Sequence, residues 1–593
     1  MLDEKKPQGH LRTWLALTIA TLALASLACR GGPKPPRVVD IREELTRLAA
    51  MDLFAGSLLI AQGDEILLHE GFGMAKRESQ LPFTAQTVSS IGSITKQFTG
   101  AAILKLEEIG KLRVNDSLQQ HFADVPADKA AITLHQLLTH TAGMPTAFGP
   151  DEEYISREEL LATAWSSELI GPPGGQYEYS NVGYSILAAI IEKASGTSYE
   201  AFLRETFFQP LGMNDTGYVL PGWDSTRLAV GYDDETVFGT VIEHQDAERG
   251  FSWHLIGNGG IHSTTLDMYS WLRALRQGQV LSEESLAKLF SRAVDEGEGE
   301  SFYGYGWVVF DLPNGVEMIG HNGGNDYFFA DLNFFPQLQD LGYILLTNDE
   351  RQSARASQLI GRRLMGEELP IPPRPVSLPG SRFSQEDVGT YVLPSGEAVR
   401  LHAEEQVSAL RLEPLSLRAH AELFARSDKE QRRFAELSET SQRMVTGIVQ
   451  GDLEPLFEAY DRRHPLVALE QSYGERIDNW QAAFGPVVRG QVLGTERGPN
   501  GSLRTFFEIV FERRTRGFYW TWRKERLDGF TRRQRPRRLR FYSVGEGVFQ
   551  LFDSEWSTAP VYSLVRDRDL AGGWEFRGPG RSVELRPGDR AAD

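Results

Sequence analysis

The sequence predicts a multidomain α+β protein, and three observations carry that prediction. At 593 residues the chain outgrows a single hydrophobic core, so about three units are expected. Between residues 38 and 368, strand-like runs stand at both ends and helical patterns lie between them. That is the order of an α+β domain whose sheet uses both termini. Pro370-Ile-Pro-Pro-Arg-Pro375 then sustains neither helix nor central strand, which marks residues 369–383 as a linker. A net charge of -19 argues against nucleic acid as a general partner.

The first residues are patterned for export. Lys5, Lys6 and Arg12 precede an apolar run from Trp14 to Leu27, the layout of a signal peptide over 1–28. The run is too short for a comfortable membrane span. It ends Leu24-Ala-Ser-Leu-Ala-Cys29, which resembles a bacterial lipobox with Cys29 as the lipidated residue. A single cysteine leaves no disulfide framework. Residues 29–37, rich in Gly and Pro, read as a tether. These features imply an exported lipoprotein, anchored to the membrane and facing the periplasm or cell surface.

Within 38–368, Ile41, Leu45, Leu48 and Ala49 recur at helical spacing. Runs from Gly56 to Gln62 and from Glu65 to Glu70 flank Gly63-Asp64 and predict a hairpin. Ser93 to Leu112 reads as a helix, as does Leu187 to Lys193, which Ser195-Gly196 closes. A third helix follows Ser263-Thr264-Thr265, with Met268, Trp271, Leu272 and Leu275 on its apolar side. Strand-like runs return at 306–310, 328–335 and 342–347.

Three short motifs carry chemistry on this frame. In Ser93-Ile-Thr-Lys96 a helix puts Ser and Lys at i and i+3, on adjoining faces and within reach. A serine hydroxyl is a poor nucleophile until a base takes its proton, and a desolvated lysine can be that base. Tyr179-Ser180-Asn181 follows a turn-rich approach; a tyrosine can share the proton transfer, and Asn181 can bond both Lys96 and a substrate carbonyl. His321-Asn322-Gly323-Gly324 precedes an aromatic run. Its glycines allow a substrate backbone to lie close, with the Gly324 N–H available to an oxyanion. Alone, Ser-x-x-Lys occurs by chance on many helices.

Together, the order Ser-x-x-Lys, Tyr-x-Asn, His-x-Gly resembles the serine β-lactamase and penicillin-binding-protein superfamily: class C β-lactamases, D-alanyl-D-alanine carboxypeptidases and esterase relatives. Further landmarks are Thr133-Leu-His-Gln-Leu-Leu-Thr-His-Thr-Ala-Gly143, Pro210-Leu-Gly-Met213 and Gly257-Asn-Gly-Gly-Ile-His-Ser-Thr264. The resemblance implies an antiparallel sheet flanked by helices, with an all-helical subdomain. It implies Ser93 as nucleophile, Lys96 and Tyr179 as the proton managers, and Asn181, His321, Gly323 and Gly324 as substrate-binding residues. An acyl-enzyme formed from an ester or amide, such as a D-amino-acid peptide, is the implied intermediate; no cofactor or metal is implied. Penicillin-recognising members carry Lys where this chain has His321, and Lys helps to hold a substrate carboxylate. The expectation therefore leans to esterase or peptidase. A true β-lactamase or carboxypeptidase, and a non-catalytic envelope ligand-binding module, stay open as alternatives. The partners implied are a small-molecule or peptide substrate and, through the anchor, a membrane; the oligomeric state is open.

Beyond the linker no catalytic motif stands out. Gly389-Thr-Tyr391 resembles the opening strand of the lipocalin-like β-barrel that often follows this catalytic domain. Residues 425–535, helical first and then strand-like, resemble a nuclear-transport-factor-2-like α+β cone inserted into that barrel, whose parts are 384–424 and 536–593. Other features read as structural. His135 and His140 have no metal spacing and suit loop and packing positions. The basic run from Arg532 to Arg540 suits a solvated face or pairing with the domain's own carboxylates. Phe518, Trp520 and Trp522 alternate, as on a strand with one face in a core.

Overall fold

The computed structural model describes residues 38–367, apart from 234–235, 247, 298 and 326. In the last third it describes 388–404, 409–460, 477, 480–481, 484–497, 502–513, 515–523, 526–533, 539–545, 548–551, 563–566, 574–578 and 581–587. The expected signal peptide, the tether with Cys29 and the Pro-rich linker lie outside these residues. Two compact units divide the chain: Phe54–Pro370 with the residues up to Ala49, and Ile371–Asp593 with Ala50–Leu53. Among the described residues no helix is long and apolar enough to cross a membrane.

In the first unit α1 (Val38–Ala50) buries Ile41, Leu45 and Leu48, spaced to share one face. Strands β1 (Gly56–Gln62) and β2 (Glu65–Phe72) form the expected hairpin. α2 (Thr95–Glu108) buries every residue from Thr95 to Leu104, the pattern of a helix surrounded by protein. α3 (Asn181–Ser195) starts where the Ser180 hydroxyl accepts the Gly183 N–H, and stops at Gly196 with φ +81°. α4 (Thr265–Arg276) is capped by Thr264, which accepts the Asp267 N–H.

Six strands follow as an antiparallel meander: β3 (Val294–Asp295), β4 (Ser301–Tyr303), β5 (Val308–Asp311), β6 (Glu317–Gly324), β7 (Phe329–Phe335) and β8 (Leu341–Thr347). The sheet order is β2-β1-β8-β7-β6-β5-β4-β3, so the first strand joins the last, with Gly56 opposite Thr347 and Gln62 opposite Leu341. The expectation that the sheet uses both ends of this domain holds. The third motif, 321–324, precedes the aromatic strand β7 as expected, and is itself the end of a strand, β6. Its Gly-rich composition hides the strand from a propensity reading. α5 (Glu350–Leu364) returns onto β7 and β8. The core gathers Phe98, Ile103, Ile190, Trp271, Trp307 and Leu332 from helices and sheet alike. One ion pair is inside: the Arg363 guanidinium meets the Glu44 carboxylate at 3.1 Å, with 2% and 0% of the side chains exposed.

The second unit holds a closed antiparallel barrel. Strands β9 (Gly389–Val392), β10 (Ala398–Glu404) and β11 (Ala409–Pro414) begin it. The chain then leaves through α6 (Leu417–Phe424), α7 (Asp428–Gln450) and α8 (Glu454–Ala459). A four-stranded sheet follows: β12 (Val487–Arg497), β13 (Leu503–Phe511), β14 (Thr515–Arg523) and β15 (Arg526–Arg533). Strands β16 (Leu539–Gly545), β17 (Val548–Leu551), β18 (Ser563–Arg566), β19 (Trp574–Gly578) and β20 (Arg581–Pro587) complete the barrel. β16 pairs with β11 and β20 closes on β9. The interrupted barrel expected from the sequence is present, although the helical block begins already at Leu417. Phe518, Trp520 and Trp522 are buried as their alternation required. From the basic run, Arg540 pairs with Glu404 at 2.6 Å.

Candidate active site

Ser93 sits in a 3-10 turn, Gly92–Ile94, that feeds directly into α2. The end of β6 lies against this turn so closely that two glycines are needed. A Cβ at Gly92, where φ is +49°, would stand 2.5 Å from the Gly324 nitrogen. A Cβ at Gly323 would stand 2.1 Å from the Ile91 carbonyl oxygen and 2.5 Å from the Ser93 nitrogen. The end of β6, with Gly323 and Gly324, thus lies against the turn that carries Ser93.

Lys96 follows one helical turn later and is fully buried. Its Nζ is 3.0 Å from Ser93 Oγ, 2.8 Å from Asn181 Oδ1 and 2.8 Å from the Asn258 carbonyl oxygen. Desolvation holds its pKa well below the usual lysine value, while the charge of Asp151 pulls it back up. A neutral amine has two N–H bonds and one lone pair. Two fixed oxygens, on Asn181 and Asn258, take the N–H bonds and leave the lone pair for the Ser93 hydroxyl proton. The Tyr179 hydroxyl donates to Ser93 Oγ at 2.9 Å, and burial raises its own pKa. Ser93 is therefore placed between a proton acceptor and a proton donor, the arrangement that acyl transfer needs.

His321 lies deeper. Only 6% of it is exposed, and both ring nitrogens are engaged. Nδ1 donates to the Asn322 carbonyl, so Nε2 accepts from the Tyr303 hydroxyl at 3.0 Å. Desolvation pushes its pKa down to about 3, so the ring is neutral at physiological pH. It presents no charge where the family's lysine would.

Of the predicted residues, Ser93, Lys96, Tyr179 and Asn181 meet directly; Gly323 and Gly324 meet them through backbone, and His321 stands behind Tyr303. Sequence reasoning missed Asn258, Asp151 and Tyr303. Asn258 lies inside the Gly257–Thr264 landmark, but it acts through its carbonyl, which no residue identity advertises. Among the described residues, no cluster of His, Cys, Asp and Glu could hold a metal ion.

Fold and site together define a member of the serine β-lactamase and penicillin-binding-protein superfamily. The Beta-lactamase family model matches residues 46–364, more than half of the chain, and the chain belongs to that family. It is 28% identical over 376 residues to penicillin-binding protein 4* of Bacillus subtilis (strain 168), spanning 60% of this chain and 82% of that one. It is 30% identical over 267 residues to the putative penicillin-binding protein PbpX of the same strain, spanning 45% of this chain and 66% of that one. Among solved structures, the octameric penicillin-binding protein homologue from Pyrococcus abyssi shares the fold, with a TM-score of 0.51 at 18% identity. That match covers 93% of this chain and all of the other, so the barrel-bearing portion is included in the likeness.

Proposed function

We propose that this protein is a serine hydrolase that cleaves amides or esters of uncharged or cationic acyl groups, D-amino-acid derivatives among them, through an acyl-enzyme on Ser93. In this reading Lys96 accepts the Ser93 proton as Oγ attacks the carbonyl carbon. The backbone amides of Ser93 and Gly324 stabilise the oxyanion, and Tyr179 hands its proton to the leaving group and is reprotonated by Lys96, which leaves both groups neutral for the second half. Water then repeats the sequence to release the acid. The observation that carries the reading is the convergence of the Lys96 and Tyr179 polar atoms on Ser93 Oγ, at 3.0 and 2.9 Å.

The electrostatics favour this substrate class over β-lactams. Desolvation depresses the pKa of each of the three basic side chains Lys96, His140 and His321, and Asp151 adds a negative field that reaches Lys96. Burial thus works against the cationic form of each side chain that could otherwise compensate a substrate carboxylate.

Mass spectrometry after reaction with a fluorophosphonate probe tests the nucleophile. The Ser93 peptide is expected to carry the adduct, and Ser93→Ala to lose it. A parallel comparison of a D-alanine anilide with nitrocefin should show turnover of the first and little of the second. A well-folded, unlabelled wild type would end the hydrolase reading, and efficient nitrocefin turnover would end the substrate preference.

A further inference from the structure

His140 suits a packing role by sequence, yet its surroundings are poorly explained by packing. It is 1% exposed, its backbone is left-handed with φ +57°, and its Nε2 has no hydrogen-bond partner among the described residues. A left-handed non-glycine residue costs on the order of 1 kcal/mol and an orphaned buried N–H about 1–3 kcal/mol. A hydrocarbon side chain would fill the space without the second cost. The ring is wedged among aromatic neighbours, with centroids 4.3 Å from Tyr179, 4.6 Å from Tyr303 and 5.0 Å from Tyr184.

What the imidazole does provide is an acceptor. Its Nδ1 takes the Ser180 amide N–H at 3.0 Å, and the His140 carbonyl takes the Glu178 N–H at 2.8 Å. These two bonds straddle Tyr179. The same segment continues the grip: the Pro145 carbonyl accepts the Ser180 hydroxyl at 2.6 Å, and the Thr146 carbonyl accepts the Asn181 N–H at 2.9 Å.

We propose that His140 is a positioning residue for the second motif: by accepting the amide N–H on either side of Tyr179, it sets the phenol against Ser93. The left-handed turn at His140 lets one residue turn both its carbonyl and its ring to the same strip of backbone. Burial disfavours the charged ring, and an acceptor at Nδ1 places the proton on Nε2. This proposal rests on the Ser93 reading above, since the phenol matters only if Ser93 reacts.

The test is a double-mutant cycle read by the rate of Ser93 labelling with the fluorophosphonate probe in the full chain. His140→Ala should slow labelling by roughly 10–100-fold, the scale of a small misplacement of a reacting group. In a Tyr179→Phe background the same substitution should cost less than about 3-fold, because the group it positions is gone. His140→Asn keeps an acceptor near the Nδ1 position, tolerates positive φ, and should recover most of the rate. If His140→Ala fails to fold, His140→Gln, whose amide reaches the Nε2 position instead, takes its place. Equal losses in both backgrounds, or no recovery with asparagine, would show the ring to be packing alone and overturn the proposal. Absence of labelling in the wild type would instead remove the Ser93 reading itself.

Discussion

At the scale of single residues, Asp151 and Lys96 give a pH-dependent expectation. Asp151 raises the Lys96 pKa, so Asp151→Asn lets that pKa fall further. A base must be unprotonated to work, so the acid limb of the labelling-rate profile should move to lower pH in the variant. A shift to higher pH would contradict the assignment of Lys96 as base. Ser93, Lys96, Tyr179 and Asn181 are legible in the sequence because their chemistry resides in side chains at fixed spacings. Asn258 and His140 are less so, because each works wholly or partly through its backbone, and a left-handed φ at a histidine leaves no mark in the sequence. His321 shows a third limit. The sequence offers an imidazole at the family's lysine position, but only the fold shows it buried, neutral and bonded at both nitrogens.

At the scale of elements, Gly196 after α3 and Thr264 before α4 are read well, whereas the start of α3 at Asn181 lies six residues before the expected Leu187. Strands whose residues lack β-propensity are read poorly. β6 ends in two glycines and β12 contains Gly490 and Gly494, so neither announces itself. Burial of charge is equally silent. Glu44 on α1 and Arg363 on α5 look like surface residues of amphipathic helices, yet both are enclosed. Glu44→Ala should destabilise the first unit by about 3–5 kcal/mol, because it takes one member from a buried charge pair. Replacing both partners with apolar residues of similar volume should return much of that loss in urea titrations. A single variant as stable as the wild type would mean that water reaches the pair.

At the scale of the whole molecule, the interrupted barrel is legible as an order of patterns, strands then helices then strands. Its closure, with β20 returning to β9, depends on pairings between distant residues that no local signal encodes. The first unit shares that property. β1 and β8 are neighbours in the sheet although roughly 290 positions separate them in sequence. A chain ended at residue 340 contains Ser93, Lys96, Tyr179, Asn181 and Gly324 but not β8. It should give no Ser93 adduct and should be cut readily by protease, whereas a chain ended at 370 should label within about 3-fold of the full protein if the first unit folds as a single cooperative element. Labelling of the shorter chain would show that the site assembles without the complete sheet. The order of synthesis gives this pairing a meaning in time. Ser93 leaves the ribosome long before the strand that completes its sheet, so a nascent polypeptide carries the candidate nucleophile in an unfinished site.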